Sequence, residues 1–482
     1  SSLMKINYIH PALEERLNQI TLVRDCMAGD ERVKSKTTEY LPMPNAMDRS
    51  PTNVSRYNSY VQRALFYNVT GRTAAGLVGQ VFSEPVAVDV PELLTPLIED
   101  VNGAGLTADQ QSRRALLFSL AFGRGGLLVD YPKTAAPANK AQIDAGEIRP
   151  VIHLLDPTDV INWGYTKFGS KMLLSLVVIA ESYVSVDNKG FGDEHKPQWR
   201  VLKLTTNGVY VQEVWRQTGG EDSAEFTRHE IIRPKDSSGN PWNFIPFTFF
   251  GPRNNDAVFD DAPLYDIAVI NLAHYRNSAD NEQSSFQAGN PTFTFSGINQ
   301  QYYKDVLGGE IRVGGTGGIP LPKGGVGNLL QADPNTMPKD GMLHKEKQMV
   351  ALGARLAEPN TQIEKSATEA SLEETAEISI LSHAAQNISE AYVQAFKWAS
   401  LFLGATGEIV FDLNTDYLAA SLGAQEREQL IKEWQIGGIT FEEYRWNLTR
   451  AGVANIPFDT VKNELDGKPQ EPETKPVNTQ TI

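Results

Sequence analysis

The sequence predicts an α+β protein, and three observations carry that prediction. Helical periodicity marks residues 1 to about 130, strand-length apolar runs and alternation replace it from about Pro150 to Phe250, and 37 residues from Ala367 to Leu403 contain neither Gly nor Pro. A continuous helix over that last stretch would span about 55 Å. Its apolar positions at Ile378, Leu381, Ala385, Ile388, Tyr392, Ala395, Ala399 and Phe402 recur at a spacing of about 3.5, which makes a seam. Such a seam either buries against the protein's own core or offers itself to a neighbouring subunit, and periodicity alone leaves both readings open.

Taken in order, Pro11 to Met27 is the best early helix. Ser55 to Val81 follows as a second, stopped by FSEP at Phe82 to Pro85 because a proline disfavours helix at the residue before it. Leu93 to Val101 and Thr107 to Phe122 are two more, the latter opened by Thr107 as N-cap with Asp109 in the first turn. GRGG at Gly123 to Gly126 stops that helix, and LLVDYP at Leu127 to Pro132 reads as a buried strand. Arg124, set between glycines, is expected to cap backbone carbonyls inside the fold and to touch no DNA. Next come the strand-like runs VIHLL, MLLSLVVIAESYV, RVLKL and VYVQEVW, the last two joined through Asn207-Gly208, a strong hairpin signal because both residues tolerate positive φ. Trp242 to Phe250, rich in aromatics and broken by proline, suits an edge or a packed loop.

Asp261 is expected to cap the next helix, with Pro263 near its first turn and Leu264, Ile267, Ala268, Leu272, Tyr275, Ala279 and Phe286 on one face, closed by Gly289 and Pro291. Nine glycines fall between Gly308 and Gly327, around strand candidates at Thr292 to Phe295 and Glu310 to Val313. A second helix runs from about Gly341 to Ala357, Pro359 breaks it, and Asn360 to Ser366 is a polar loop carrying Lys365. After the long helix, Gln425 to Trp434 and Thr440 to Thr449 form a helical pair around Gly437-Gly438. The last seventeen residues lack apolar periodicity and are expected to be disordered.

Composition narrows the function classes. The 41% hydrophobic and 21% charged content are ordinary globular values. A single cysteine, Cys26, rules out an intramolecular disulfide framework and points to a reducing compartment. No apolar run reaches the length of a membrane span, and the N-terminus has no signal-peptide core. The net charge of −15 is the reverse of what a sequence-specific DNA binder gathers, because phosphate neutralisation by Lys and Arg drives such binding. An acidic chain can still surround DNA without gripping it.

Catalytic patterns are sparse. PKGGVGN at Pro322 to Asn328 has the glycines of a phosphate-cradling loop, but Asn328 and Leu329 stand where that chemistry needs Lys and Ser or Thr. The seven histidines are scattered without metal-ligand spacing, and no second cysteine joins them. Asp130 ends a buried strand and reads as a surface or capping carboxylate. The expectation is a protein without enzymatic activity, resident cofactor or metal.

The order of elements carries the functional expectation. RALFYNVTGRTAAGLVGQVFSEP at Arg63 to Pro85 with ALLFSLAFGRGGLLVDYP at Ala115 to Pro132, the helix LYDIAVINLAHYRNSADNEQSSF at Leu264 to Phe286, KEKQMVALGARL at Lys345 to Leu356, the long helix, and LIKEWQIGGITFEEYRWNLTRAG at Leu430 to Gly452 together resemble the portal proteins of tailed bacteriophages, over roughly residues 55 to 455. The resemblance implies a wing (1–262), a first stem helix (263–290), a clip (291–340), a second stem helix (341–358), a tunnel loop (359–367), a long wing helix (368–404), a helical crown (405–465) and a disordered tail (466–482). Within that plan the wing is α/β and the clip is a small glycine-rich β unit. It further implies a ring, typically of twelve copies, at one capsid vertex of the virion, passing double-stranded DNA without sequence preference during packaging and ejection. Major capsid protein, scaffold, a terminase large subunit that supplies ATP hydrolysis, and a head-tail adaptor are its implied partners, with no membrane. Lys365 in the tunnel loop and Lys345 and Lys347 on the second stem helix are the channel-facing candidates. Glu346, Glu358 and Glu364 would keep the lumen neutral or acidic. Two alternatives stay open: a structural head or connector component that is not the DNA gate, and an enzyme with a nucleotide site in the glycine-rich segment.

Overall fold

The computed structural model describes residues 5–131, 148–185, 192–219, 225–312, 318–357, 379–415, 417 and 424–450. The chain divides into two compact units, 1–413 and 414–482.

The first unit opens with short helices, α1 (Pro11–Glu14), α2 (Leu17–Ala28) and α3 (Asp30–Ser35), so the expected Pro11–Met27 helix is interrupted after its first turn. The expected helix over Ser55 to Val81 is likewise two helices, α4 (Pro51–Arg63) and α5 (Val69–Val81). Ala64 turns extended at ψ 150°, and Asn68 starts α5 afresh by accepting the Gly71 amide. Strand β1 (Ala87–Asp89), a 3-10 turn at Glu92–Leu94, the short α6 (Thr95–Glu99) and α7 (Ala108–Phe122) follow. Thr107 caps α7 as expected, in a reciprocal capping box with Gln110, and Gly123 ends it in the left-handed region at φ 75°.

Next come β2 (Gly125–Asp130), β3 (Val151–Leu155), β4 (Val160–Phe168), β5 (Lys171–Val184), β6 (His195–Leu204), β7 (Tyr210–Thr218), β8 (Glu225–Ile232) and β9 (Phe247–Phe250). Strands β4 to β8 form a five-stranded meander in chain order, and β3-β2-β9 form a second sheet with β9 on its edge, as its proline-broken sequence required. Every ladder described is antiparallel, so the α/β label for this region is corrected to α+β. Within the β4–β8 meander the short connections between successive strands dictate that outcome, since parallel pairs need long crossovers. Asn207-Gly208 does turn a hairpin, but only Gly208 takes positive φ, at 74°. The Thr205 carbonyl accepts the Gly208 amide and its hydroxyl accepts that of Val209, which removes the need for a second left-handed residue.

The remaining elements of this unit are α8 (Tyr265–Gly289), β10 (Thr292–Ser296), α9 (Gln300–Asp305), β11 (Val326–Leu330), α10 (Met337–Ala357), α11 (Ile380–Leu403) and β12 (Val410–Asp412). Asp261 does not cap α8: Leu264 occupies the cap without a side-chain bond, and exposed Asp261 faces Arg16 at 3.6 Å. Residues 310–312 form no strand; β10 pairs instead with β11, which PKGGVGN enters through a turn closed by the Gly325 amide on the Pro322 carbonyl. A turn feeding a strand lacks the helix N-terminus that a phosphate loop requires.

The single 37-residue helix is corrected as well. Ser379 is extended and its hydroxyl accepts the Ser382 amide, so α11 begins at Ile380 and has 24 residues, about 36 Å. Residues 367–378 lie outside the described residues. The seam is used inside the unit: Leu381, Ala385, Ile388, Tyr392, Ala395 and Ala399 are all buried against α7, β2, β9 and β12, and Phe402 stacks on Tyr131 at 4.3 Å. The central buried helix is therefore the reading that holds. In the second unit, α12 (Ala424–Gln435) and α13 (Phe441–Arg450) form the expected helical pair, with Trp434 stacked on Tyr444 at 5.0 Å and a Thr440–Glu443 capping box.

One contact makes the N-terminal segment pH-sensitive. His10 stacks on Trp163 at 3.9 Å, its amide donates to the Ile161 carbonyl, and its Nδ1 accepts the Ala12 amide that starts α1. That acceptor exists only on neutral imidazole, and burial, then the charge of Arg124, lowers the His10 pKa from 6.5. Below pH 6.5 the unfolded segment therefore binds more protons than the docked one, so docking weakens as pH falls through that value and levels off below the docked pKa. Hydrogen exchange at Leu13 to Glu15 should accelerate between pH 7.5 and 5.5, beyond the intrinsic trend. His10→Asn, which keeps an acceptor but cannot titrate, should abolish that excess; its persistence would rule out His10 as the cause.

Candidate functional site

The helical pair α8 and α10 with its β10–β11 tip is the feature that the core of the first unit does not absorb. The buried residues of α8, Ile267, Ala268, Asn271, Leu272, His274, Tyr275, Ser278 and Ala279, stop ten residues short of its end, and none follows Ala279. On α10 only Met349 and Leu356 are buried. The two helices thus leave the core as an antiparallel arm, and polar contacts pair them along its length. His274 Nε2 meets Glu346 at 2.9 Å, Lys345 donates to Asn277 Oδ1 at 2.7 Å, the Asn335 amide donates to Ser284 at 3.2 Å, and Gln331 donates to the Ala288 carbonyl at 3.1 Å. Gly341 lets the helices approach closely here: a Cβ would come 3.2 Å from the Asn277 carboxamide, which would have to shift slightly.

A second strip braces the other side of α8. Tyr60 donates to Asp280 at 2.6 Å, Arg63 donates to Gln283 at 2.9 Å and lies 3.7 Å over the Phe286 ring, and the Leu65 amide donates to Ser278 at 2.8 Å. Asn271, fully buried, finishes the strip by donating to the Tyr67 carbonyl and accepting from both the amide and hydroxyl of Thr70. The break between α4 and α5 supplies these contacts, which is why a single helix there would not have served.

The arm differs electrostatically from the rest of the chain. Residues 265–357 hold eight Lys and Arg against eight Asp and Glu, so the whole excess of −15 lies elsewhere. Its tip exposes Phe293, Val306, Val326, Leu329 and Leu330, and α10 exposes Leu343 and Val350.

Of the channel candidates, Lys345 is half-buried and committed to Asn277, whereas Lys347 is exposed without an ion pair among the described residues. Two positions apart on a helix is about 200°, so the two lysines cannot share a face. Lys365, Glu358 and Glu364 lie outside the described residues. Glu346 is held by His274, a pairing the sequence did not suggest because 72 residues separate the two.

Arg124 is where the sequence led furthest. It is 1% exposed, donates to the Ala257 carbonyl at 2.7 Å, and sits 4.0 Å over Trp163, 4.5 Å over Phe249 and 3.8 Å over Phe259. Burial pushes its pKa down to about 9, which still leaves it charged at neutral pH. Asp130 accepts from Gln212 at 3.0 Å and ties the two sheets together.

No group of three or more His, Cys, Asp or Glu among the described residues could hold a metal ion, and no described helix is long and apolar enough to cross a membrane. A cleft of about 300 Å³ between α7, β3 and the loop that follows β3 includes Arg114, His153, Asp156 and Asp159. Asp156 is already engaged by Arg24 at 2.8 Å and by Thr158 at 2.7 Å.

Comparison with known proteins adds the following. The family described as "Domain of unknown function (DUF4055)" matches residues 263–403, the stretch from α8 through α11. The chain is similar in structure to a chain of the neck of an empty GTA particle computed with C6 symmetry, at 16% identity and TM-score 0.40, over 81% of this chain and 91% of that one. It is similar to a chain of the neck of a native GTA particle computed with C12 symmetry, at 14% identity and TM-score 0.37, over 80% and 91%. A chain from the virion of a native gene transfer agent particle matches at 14% identity and TM-score 0.38, over 83% and 93%. No curated protein matches the chain.

Proposed function

We propose that this chain is the subunit of a phage portal ring, a non-enzymatic structural component through which double-stranded DNA enters and leaves a capsid at one vertex of the virion. The observation that carries the reading is the arm: two antiparallel helices that stop burying side chains where they leave the core, with a β hairpin between them and exposed apolar side chains along both. A two-stranded ribbon is marginal alone and a monomer gains nothing from such a surface, whereas neighbours in a ring cover it. The order arm, buried helix and helical pair agrees with the portal resemblance of the sequence. In this reading residues 1–262 and α11 form the wing, the β10–β11 tip is the clip, 359–367 the tunnel loop, and α12–α13 belong to the crown. Twelve copies, contacts with capsid, scaffold, terminase and adaptor, and the channel itself belong to the same proposal.

Negative-stain images of the purified full chain test it. Rings with a central hole that admits duplex DNA are expected without nucleotide. Monomers or dimers alone at micromolar concentration, also in the presence of capsid protein, would overturn the reading, and closed rings without an open channel would favour a non-portal head component.

For the lysines the expectations differ. A lysine is a hydrated point charge on a long stem, which suits Lys365 of the proposed tunnel loop to passing phosphates, and Lys347 is exposed on α10 without an ion pair among the described residues. Lys365→Glu should leave ring assembly intact while reducing DNA packaging or retention several-fold, and Lys347→Glu should do the same more weakly. Lys345→Gln should instead loosen the α8–α10 pairing, seen as a lower melting temperature. Normal packaging by Lys365→Glu would remove the tunnel assignment.

A further inference from the structure

The charge of this chain is arranged in single-sign blocks. Residues 49–83 contain Arg49, Arg56, Arg63 and Arg72 and no Asp or Glu. Residues 84–112 contain Glu84, Asp89, Glu92, Glu99, Asp100 and Asp109 and no Lys or Arg. No lysine occurs anywhere from 37 to 132. In a chain with a net charge of −15, a 35-residue stretch that is only positive is out of character.

The structure makes two surfaces of these blocks. Arg49, Arg56 and Arg72 are exposed and have no ion pair among the described residues; Asp48, near Arg56, accepts the Ser50 amide. Two of the arginines make local contacts: Arg63 lies over Phe286 and donates to Gln283, and Arg72 lies 5.2 Å over Tyr67 and donates to its hydroxyl at 3.3 Å. Interleaved with these arginines are the exposed apolar side chains Met47, Val54, Leu65 and Tyr67. In the acidic block, Asp100 is paired with Arg149 and Asp109 with Arg113, but Glu84, Asp89, Glu92 and Glu99 are exposed without an ion pair among the described residues. Strand β12, paired to β1, adds exposed Asp412 beside them. The two surfaces share α7 as a neighbour but otherwise sit on different elements: α5 also packs on α8 and α2, whereas the 3-10 turn before α6 packs on α11.

We propose that the arginine strip of α4 and α5 docks on the acidic surface around β1 and α6 of a second copy of this chain. The inference rests on the ring reading and names its interface: a heterologous contact, positive side to negative side, that repeats until the ring closes. Two features favour a protein partner over nucleic acid. The strip combines Arg with Met, Tyr, Leu and Val and excludes Lys, the composition of a protein interface, whereas a phosphate-binding surface has no use for exposed apolar side chains. The complementary surface is present on every neighbouring copy at the same concentration. Arginine also suits the contact because its planar fork pairs with carboxylates in two-pronged fashion. Charge complementarity of this kind fixes which sides meet and speeds encounter.

Charge exchange tests the interface apart from the ring. One variant carries Arg49→Glu, Arg56→Glu and Arg72→Glu; the other carries Asp89→Arg, Glu92→Arg and Glu99→Arg. All six positions are exposed, so circular dichroism and melting should match the wild type. Each variant alone should assemble at least about tenfold more weakly in sedimentation velocity. An equimolar mixture should recover rings, because an alternating order restores opposite signs at every contact. If a reversal variant misfolds, Arg49→Gln, Arg56→Gln, Arg72→Gln gives the same reading: assembly weakened and its salt dependence lost. Rings from either reversal variant alone at wild-type strength would overturn the interface and leave the ring reading standing. Rings of normal strength that no longer retain duplex DNA would assign the strip to phosphates and overturn the proposal. A wild-type chain that stays monomeric would overturn both.

Discussion

Arg124→Ala should lower the stability of the first unit by about 3–5 kcal/mol, the largest effect expected from one substitution in this chain. The guanidinium fills the space between Trp163, Phe249 and Phe259 and holds the loop before α8 through the Ala257 carbonyl. Alanine leaves a cavity among three rings and an unanswered carbonyl, and it removes the cation–π attraction that replaces water around the buried charge. Lysine should not rescue it, since a compact, strongly hydrated ammonium cannot stack flat between rings. Methionine should recover part of the loss: it restores volume without a charge to desolvate, and Nε and Nη2 of Arg124 have no partner among the described residues to lose. Chemical denaturation of the three variants would decide; an alanine variant within about 1 kcal/mol of wild type would contradict the cage.

Tyr392→Ala is expected to cost about 4 kcal/mol, and Tyr392→Phe about 1 kcal/mol. Tyr392 is fully buried, stacks on Phe411 at 4.9 Å, and donates to Gln111 Oε1 at 2.9 Å, while the Gln111 amide donates to the Ile152 carbonyl at 2.9 Å. The chain of bonds ties α11 to α7 and to β3, so the ring supplies most of the energy and the hydroxyl satisfies one buried acceptor. The measurement also discriminates between the two readings of the seam. Were Tyr392 an interface residue, its loss would weaken assembly and leave the melting of the isolated subunit unchanged.

The elements with strong local signals were legible in the sequence. The Thr107 cap that opens α7, the glycine that closes it, the hairpin at Gly208, the edge character of β9 and the helical pair around Gly437 all follow from interactions within a few residues, and the structure contains each. Where local and tertiary demands competed, the sequence misled. Residues 64–68 look helical by spacing, but their backbone is needed to brace α8, and Asn271 and Ser278 bind them in an extended form. Asp261 looks like a cap, yet its carboxylate faces Arg16. Arg124 could be placed at a helix-to-strand turn from its glycines, but the rings around it come from residues up to 135 positions away.

The candidate site divides in the same way. That two long helices enclose a glycine-rich β segment was readable from periodicity and punctuation. That they form an arm was not, because it depends on where burial stops along α8, and burial is a property of what packs alongside. Which lysine is free is equally a tertiary fact: Lys345 and Lys347 differ by two positions in the chain, and only the neighbouring helix decides that Asn277 takes the first. By itself the sequence determined the element types, the blocks of single-sign charge and the absence of catalytic spacing, since these are set by residues near one another in the chain. The tertiary structure decided that the seam of α11 faces inward, that the arm carries the uncovered surface, and which charges lack partners, because each depends on contacts between residues far apart in sequence.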